Sequence, residues 1–227
     1  MNVDEIYRLI QYICSKNQQG YISPSQFNLT INQAQVSFMD MLLGQFQQYK
    51  YERTQPRVSY SQNETIRNKL TPIIYGYNLT FDSTGFAPYM GDYQEVDTMW
   101  QSIYGGIYGY NRIRYAPQNK LFSYTTSRID PIPTNPIYWL EDEGFRVLPT
   151  TLSQARVSYV RTPPPIEWAY TLDVNSRPIY DSVNSKQPIW YEADILDIVS
   201  RALRIIGVNL QSQAITQYAE EIKNTGQ

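Results

Sequence analysis

The spacing of apolar residues changes twice along this chain, and that change limits the fold more than any single motif. Near the N-terminus, Ile6, Leu9, Ile10 and Ile13 recur with Cys14 at helical intervals. Near the C-terminus, Ile195, Leu196, Ile198, Val199, Ala202, Leu203, Ile205 and Ile206 do the same. Between them, from Ile73 to about Trp190, the chain is heavy in Tyr, Ile, Val, Trp and Thr and is punctuated by Gly and Pro, which is strand composition. Helix, then strand, then helix is an α+β order. Neither set of terminal helices buries its apolar face alone, so the N- and C-terminal helices are expected to form a bundle with a central β-rich region. The expected divisions are helices over 1–52, an extended linker or arm over 53–72, a β-rich region over 73–191, and C-terminal helices over 192–227 that pack with the first set.

Local signals place the elements. Asp4 is positioned to cap the first helix, and Gly20 to stop it. Ser23, Pro24 and Gln26 form a capping box with proline at the first helical position, and Ile22 and Phe27 fit a hydrophobic staple. A short helix there is predicted to lead into a longer one over about 32–51, with Val36, Met39, Leu43 and Phe46 as its stripe, widened by Phe38, Met41 and Leu42. Strands are predicted over 77–81, 96–103 and 155–160, the last with Ala155, Val157 and Tyr159 on one face. The clearest hairpin runs out over 137–140, turns through Asp142, Glu143 and Gly144, and returns over 145–148. Pro163, Pro164 and Pro165 force an extended segment. Strand pattern resumes at 168–172, with a turn at Asn175 and Ser176 toward Ile179 and Tyr180. A helix over 193–206 ends at Gly207, and an amphipathic helix is predicted over 212–223.

The residue inventory excludes much chemistry. The chain holds 21 tyrosines and no histidine. Tyrosine is a stiff, amphipathic contact residue enriched at interfaces, and histidine is the commonest acid/base and metal ligand near neutral pH. One cysteine, Cys14, leaves no disulfide, no Cys/His zinc set and no Cys–His nucleophile; it reads as a buried small hydrophobe. A net charge of −2 and a pI near 5.3 argue against a dedicated nucleic-acid binder. No basic and apolar leader begins the chain and no apolar run reaches membrane-spanning length, so a soluble protein made in a reducing compartment is expected. Glu141, Asp142 and Glu143 are the densest carboxylate cluster, but they crowd a turn, where acidic residues are common and solvated. Asp92, Glu95 and Asp97 earn the same discount. Trp168 and Tyr170 beside the prolines are open to a sugar-stacking reading or to strand packing. No catalytic, cofactor or metal residue is expected.

Two segments stand out as contact elements. Lys50, Arg53, Arg57, Arg67 and Lys69 face only Glu52 and Glu64, and Pro56 blocks a continuous helix through them. That stretch is either a solvated connector or a docking arm. The loop at 104–110 is rich in Gly and Tyr but lacks the lysine and spacing of a phosphate loop. The interface residues these segments offer are Arg53, Arg57, Arg67, Lys69, Tyr104, Tyr108 and Tyr110.

Three stretches together resemble a known group. They are residues 17–28 (Asn-Gln-Gln-Gly-Tyr-Ile-Ser-Pro-Ser-Gln-Phe-Asn) followed by Ala34-Gln35, residues 157–170 through the proline run, and residues 195–218 with the break at Gly207-Val208-Asn209-Leu210. This succession is similar to virion structural proteins of tailed phages infecting Bacteroidetes, the crAss-like phages in particular, and most to the ring proteins that join portal to tail. The resemblance implies a head-to-tail connector subunit, a homo-oligomer in a twelve-fold ring beside the portal and neighbouring ring or tail proteins. Double-stranded DNA would pass through its lumen without sequence-specific binding. It implies a place in the virion neck, assembly in the host cytoplasm, no membrane, no cofactor and no catalysis. The alternative is a tail-tip or fibre-associated module that binds carbohydrate, against which the terminal helices count. An accessory hydrolase using the carboxylates alone is weaker still.

Overall fold

The computed structural model describes residues 1–16, 20–51, 64–102, 110–126 and 131–207. The fold is α+β, with helices toward both ends and the strands between them. The chain divides into two units. One joins Met1–Pro72 to Pro163–Gln227; the other is Ile73–Thr162.

The first unit is built on helices α1 (Val3–Lys16), α2 (Pro24–Tyr51), α3 (residues 64–70) and α5 (Glu192–Ile206). The cap of α1 is Asn2, not Asp4. Asn2 Oδ1 accepts from the Glu5 amide and Glu5 Oε2 accepts from the Asn2 amide, both at 2.8 Å. Asp4 instead pairs with Arg8 at 2.8 Å and accepts from the Trp168 indole at 3.1 Å. The buried face of α1 is Val3, Ile6, Tyr7, Ile10 and Cys14, while Leu9 and Ile13 are only half-buried. The predicted capping box of α2 is present: the Gln26 amide donates to Ser23 Oγ at 3.3 Å and the Ser23 amide donates to Gln26 Oε1 at 3.1 Å. From that cap α2 runs without a break to Tyr51, so the predicted short helix and long helix are one. Its buried stripe is Phe27, Ile31, Ala34, Gln35, Phe38, Met39 and Leu42, and Val36 is exposed. Of the expected stripe, Phe38, Met39 and Leu42 are buried, Met41 and Leu43 are half-buried and Val36 is exposed, while the Phe46 side chain lies outside the described residues.

α5 packs along α2 and, to a lesser extent, α1. The bundle is therefore real, but its α5 face is Ile195, Ile198, Val199, Ala202 and Leu203; Leu196 is exposed and Ile206 half-buried. Gly207 ends α5 in the left-handed region at φ 88, where a side chain would be strained, and its amide donates to Arg204 O. The extended arm expected over 53–72 is corrected in its second half: residues 64–70 are helical and Thr71–Ile73 make a single 3-10 turn. The C-terminal boundary of the β-rich region is corrected too. Residues 163–191 belong with the helices, not the sheets, and carry only the small antiparallel pair β9 (Tyr170–Leu172) and β10 (Pro178–Tyr180).

The second unit is two four-stranded sheets. One has order β1 (Ile74–Thr80), β8 (Gln154–Arg161), β3 (Tyr93–Ser102), β4 (Tyr110–Arg112). The other has order β2 (Phe86–Pro88), β7 (Gly144–Leu148), β6 (Ile137–Leu140), β5 (Arg114–Tyr115), with α4 (Gln118–Thr126) between β5 and β6 in sequence. Their inward faces share one core: Leu79, Val96, Met99, Ala155, Val157 and Tyr159 from the first sheet, and Ala87, Tyr138, Phe145 and Val147 from the second. The predicted hairpin is β6–β7, in register from Ile137 opposite Leu148 to Leu140 opposite Phe145. Gly144 is required there: a Cβ would lie 2.2 Å from the Ala87 carbonyl and 2.9 Å from the Phe86 ring.

Candidate functional site

The feature of the first unit that sequence reasoning missed is a row of amides on α2. Asn28, Asn32 and Gln35 fall at i, i+4 and i+7, one helical face. The extended segment after the prolines lies along them. Asn28 accepts from the Trp168 amide at 2.8 Å and donates to the Trp168 carbonyl at 3.2 Å. Asn32 accepts from the Ile166 amide and donates to the Ile166 carbonyl, both at 2.8 Å. Gln35 Nε2 donates to Pro164 O at 3.0 Å, and its Oε1 accepts from the Trp190 indole at 3.0 Å. Residues 164, 166 and 168 are thus bonded at alternate positions, as a neighbouring strand would bond them. A side-chain amide carries both a donor and an acceptor, so Asn28 and Asn32 each satisfy the N–H and the C=O of one residue, as a strand neighbour does. The signal was present as Asn/Gln at helical spacing on a face otherwise apolar.

This row also decides the role of Trp168. Its indole is 4% exposed, stacked on Tyr7 at 4.3 Å and flanked by Tyr180 at 5.6 Å and Tyr170 at 5.9 Å. Tyr7 is itself buried, and desolvation, with hydrogen bonding to Tyr21, pushes its hydroxyl well above the usual tyrosine range. Trp168 has no free ring face to offer a sugar; it is a pillar between α1 and the β9–β10 pair.

The residues proposed as contacts from sequence are scattered. Arg53, Arg57, Tyr104 and Tyr108 lie outside the described residues, as do the helix predicted over 212–223 and residues 17–19. Tyr110 opens β4 by its backbone. Arg67 is on the exposed side of α3. Lys69 is not a free docking cation: its Nζ lies 3.1 Å from Asp194 Oδ1, and the Asp194 side chain is 3% exposed. Asp194 occupies the first turn of α5, where the helix dipole also favours a carboxylate. Charge at Lys69 is therefore spent inside the unit.

In the second unit the carboxylate cluster is a turn, as expected. Glu141 accepts from Arg146 Nε at 2.7 Å and from the Trp139 indole at 3.1 Å, and Arg146 holds its carboxyl below the usual range. Asp82 is held low chiefly by the Phe86 amide and the Thr84 hydroxyl. Asp92 accepts from the Tyr159 hydroxyl at 2.9 Å, and Asp97 from Ser158 at 3.1 Å. Burial, reinforced by that Asp92 bond, pushes Tyr159 up to about 12. Each of these carboxylates has a local structural partner. Among the described residues no group of three or more Cys, Asp or Glu is placed to hold a metal ion, and no helix is long and apolar enough to cross a membrane. Cys14 is buried in α1, and desolvation raises its thiol.

No family model and no curated protein matches this chain.

What the first unit does present is uncovered apolar surface. Across the β9–β10 ribbon and the turn after it, Leu172 is 64% exposed, Val174 95%, Ile179 52% and Val183 88%. A second set, Tyr12, Tyr21, Leu29 and Val36, is exposed on α1, α2 and the segment between them. Such side chains are ordinary singly, but a two-stranded ribbon carrying several of them is marginal without a neighbour.

Proposed function

We propose that this chain is a structural virion protein, a subunit of a head-to-tail connector ring that sits beside a portal and lets genomic DNA pass through its lumen. The observation that carries the reading is the apolar β9–β10 ribbon, with Val174 and Val183 almost wholly exposed in a unit whose polar groups are otherwise carefully satisfied. A ring closes through heterologous contacts, so each subunit needs two different adhesive surfaces. The ribbon and the exposed Leu29 and Val36 of α2 are the candidates for these surfaces, Tyr21 lining one depression with Pro178 and Tyr180 of the ribbon. The sequence likeness to crAss-like phage ring proteins supports the same reading. The role assigned is contact without catalysis: neighbours are further copies, the portal and adjoining ring or tail proteins, in the neck of a virion assembled in the host cytoplasm. DNA in transit is bound without sequence specificity.

The test is the size and symmetry of the native particle. Mass photometry and negative-stain images of the purified full chain are expected to show closed rings of about twelve copies. Replacing Val174 and Val183 together by Ser is expected to shift the population toward monomer. A chain that stays monomeric at micromolar concentration and in isolated particles overturns the reading.

A further inference from the structure

We infer that the outer face of the β1-β8-β3-β4 sheet binds single-stranded nucleic acid, independently of base sequence. The register aligns one row across the sheet: Asn78 opposite Arg156, Arg156 opposite Trp100, and Trp100 opposite Arg112. These residues stand on the face opposite the core, since Leu79, Ala155, Val157 and Met99 alternate with them and are buried. Adjacent strands are about 4.8 Å apart, so the two arginine positions lie about 10 Å apart with the indole between them. Arg156 and Arg112 are exposed, and among the described residues neither has an ion-pair partner.

Trp100 and Arg156 of this row line a depression of about 580 Å³ together with Gly76 and Ser158. Gly76 makes room for it: a Cβ there would meet Arg156 Nη2 at 3.2 Å. Net charge conceals how basic this part of the chain is. Residues 98–129 contain no Asp or Glu but carry Arg112, Arg114, Lys120 and Arg128. Of the carboxylates on this sheet face, Glu95 lies opposite Val160 toward the other end of β3, and Asp97 borders the depression, where it accepts from the Ser158 hydroxyl at 3.1 Å.

Cation, flat ring, cation is the complement of one nucleoside with its two flanking phosphates. Guanidinium groups pair with phosphate oxygens, and an indole stacks on any base because every base has a π-face. In a duplex the base faces are already stacked on one another, so a single strand is the form that uses all three side chains. The inference does not rest on the ring reading, and the binding is read on the chain whatever its oligomeric state.

The four tryptophans make the test direct. Trp139, Trp168 and Trp190 are 8%, 4% and 4% exposed, whereas Trp100 is half-buried in an open depression. Titrating the full chain with oligothymidylate of about 20 nucleotides at about 50 mM salt is expected to quench tryptophan fluorescence. Trp100→Leu is expected to remove the quench and weaken binding about tenfold. Arg112→Glu with Arg156→Glu is expected to weaken it more, and the milder Arg112→Gln with Arg156→Gln to lower the salt slope by about 1.4. Arg177→Glu, in the other unit, is expected to change nothing. Circular dichroism confirms that each variant is folded, and the wild-type quench needs no variant. Absence of binding, binding indifferent to Trp100 and both arginines, or equal quenching by a duplex of the same length overturns the inference.

Discussion

The two units solve one problem in opposite ways. Each must satisfy the backbone of an extended segment at its centre. In the second unit β8 is bonded on both sides by strands, β1 and β3, and its alternate side chains enter a dry aromatic core. In the first unit the segment 164–168 has a single backbone bridge, Glu167 with Lys186, on one side, and on its α2 side Asn28, Asn32 and Gln35 take the place of a strand. Backbone ladders tolerate changes of side chain, because the bonding groups are common to all residues. A ladder made of side chains is specific to three residues, and each is a single point of failure.

The largest expected effect probes the core that the backbone ladder supports. Phe145 is wholly buried and meets Tyr89 and Tyr93 edge-on at 4.8 and 5.3 Å. Phe145→Ala is expected to cost about 3–5 kcal/mol by thermal or denaturant unfolding. A loss below 1 kcal/mol would mean that this cluster is not the centre of the unit.

The sharpest contrast uses the same residue type in each unit. Asn32→Ala leaves the amide and carbonyl of Ile166 without their partner and is expected to cost about 1–3 kcal/mol, with faster hydrogen exchange at the Ile166 amide. Asn78→Ala, on the exposed sheet face, is expected to stay within about 0.5 kcal/mol. Equal effects at the two positions would erase the distinction between the units.

The smallest effect is electrostatic and confined to the second unit. Glu141 has a folded pKa below its ordinary value, so its contribution is present above that value and is lost as pH falls through the depressed one. Its side chain is one-third exposed, so solvent screens the pair with Arg146 and the effect is modest. Unfolding midpoints of wild type and Glu141→Gln are expected to differ at pH 7 and to converge in acid. A constant gap across that range would show that the Arg146 pairing contributes nothing to the acid limb.

Residues whose partners lie close along the chain were legible. The Ser23–Gln26 capping box, the β6–β7 turn, the stop at Gly207 and the inward run Ala155, Val157, Tyr159 were all recoverable from local pattern. Periodicity found both terminal helices and most of their buried faces, but it also counted Leu9, Ile13 and Leu196, which stay half-buried or exposed. Of the proposed contact residues, Lys69 has an ion-pair partner that the sequence did not show. Its partner Asp194 lies far along the chain, and sequence distance hides the pair.

By itself the sequence determined the α+β order, the α2 capping box, the Gly207 stop, the β6–β7 turn and the absence of a histidine, because these depend on residue type and on neighbours a few positions away. The tertiary structure alone decided that residues 163–191 leave the β-rich region for the helices, that Trp168 is spent in a stack, and that Arg156, Trp100 and Arg112 form one row. Each of those depends on register or on a hydrogen bond between segments far apart in the chain. Local propensity is blind to such pairings, since their free energy comes from groups that meet only when the whole unit has closed.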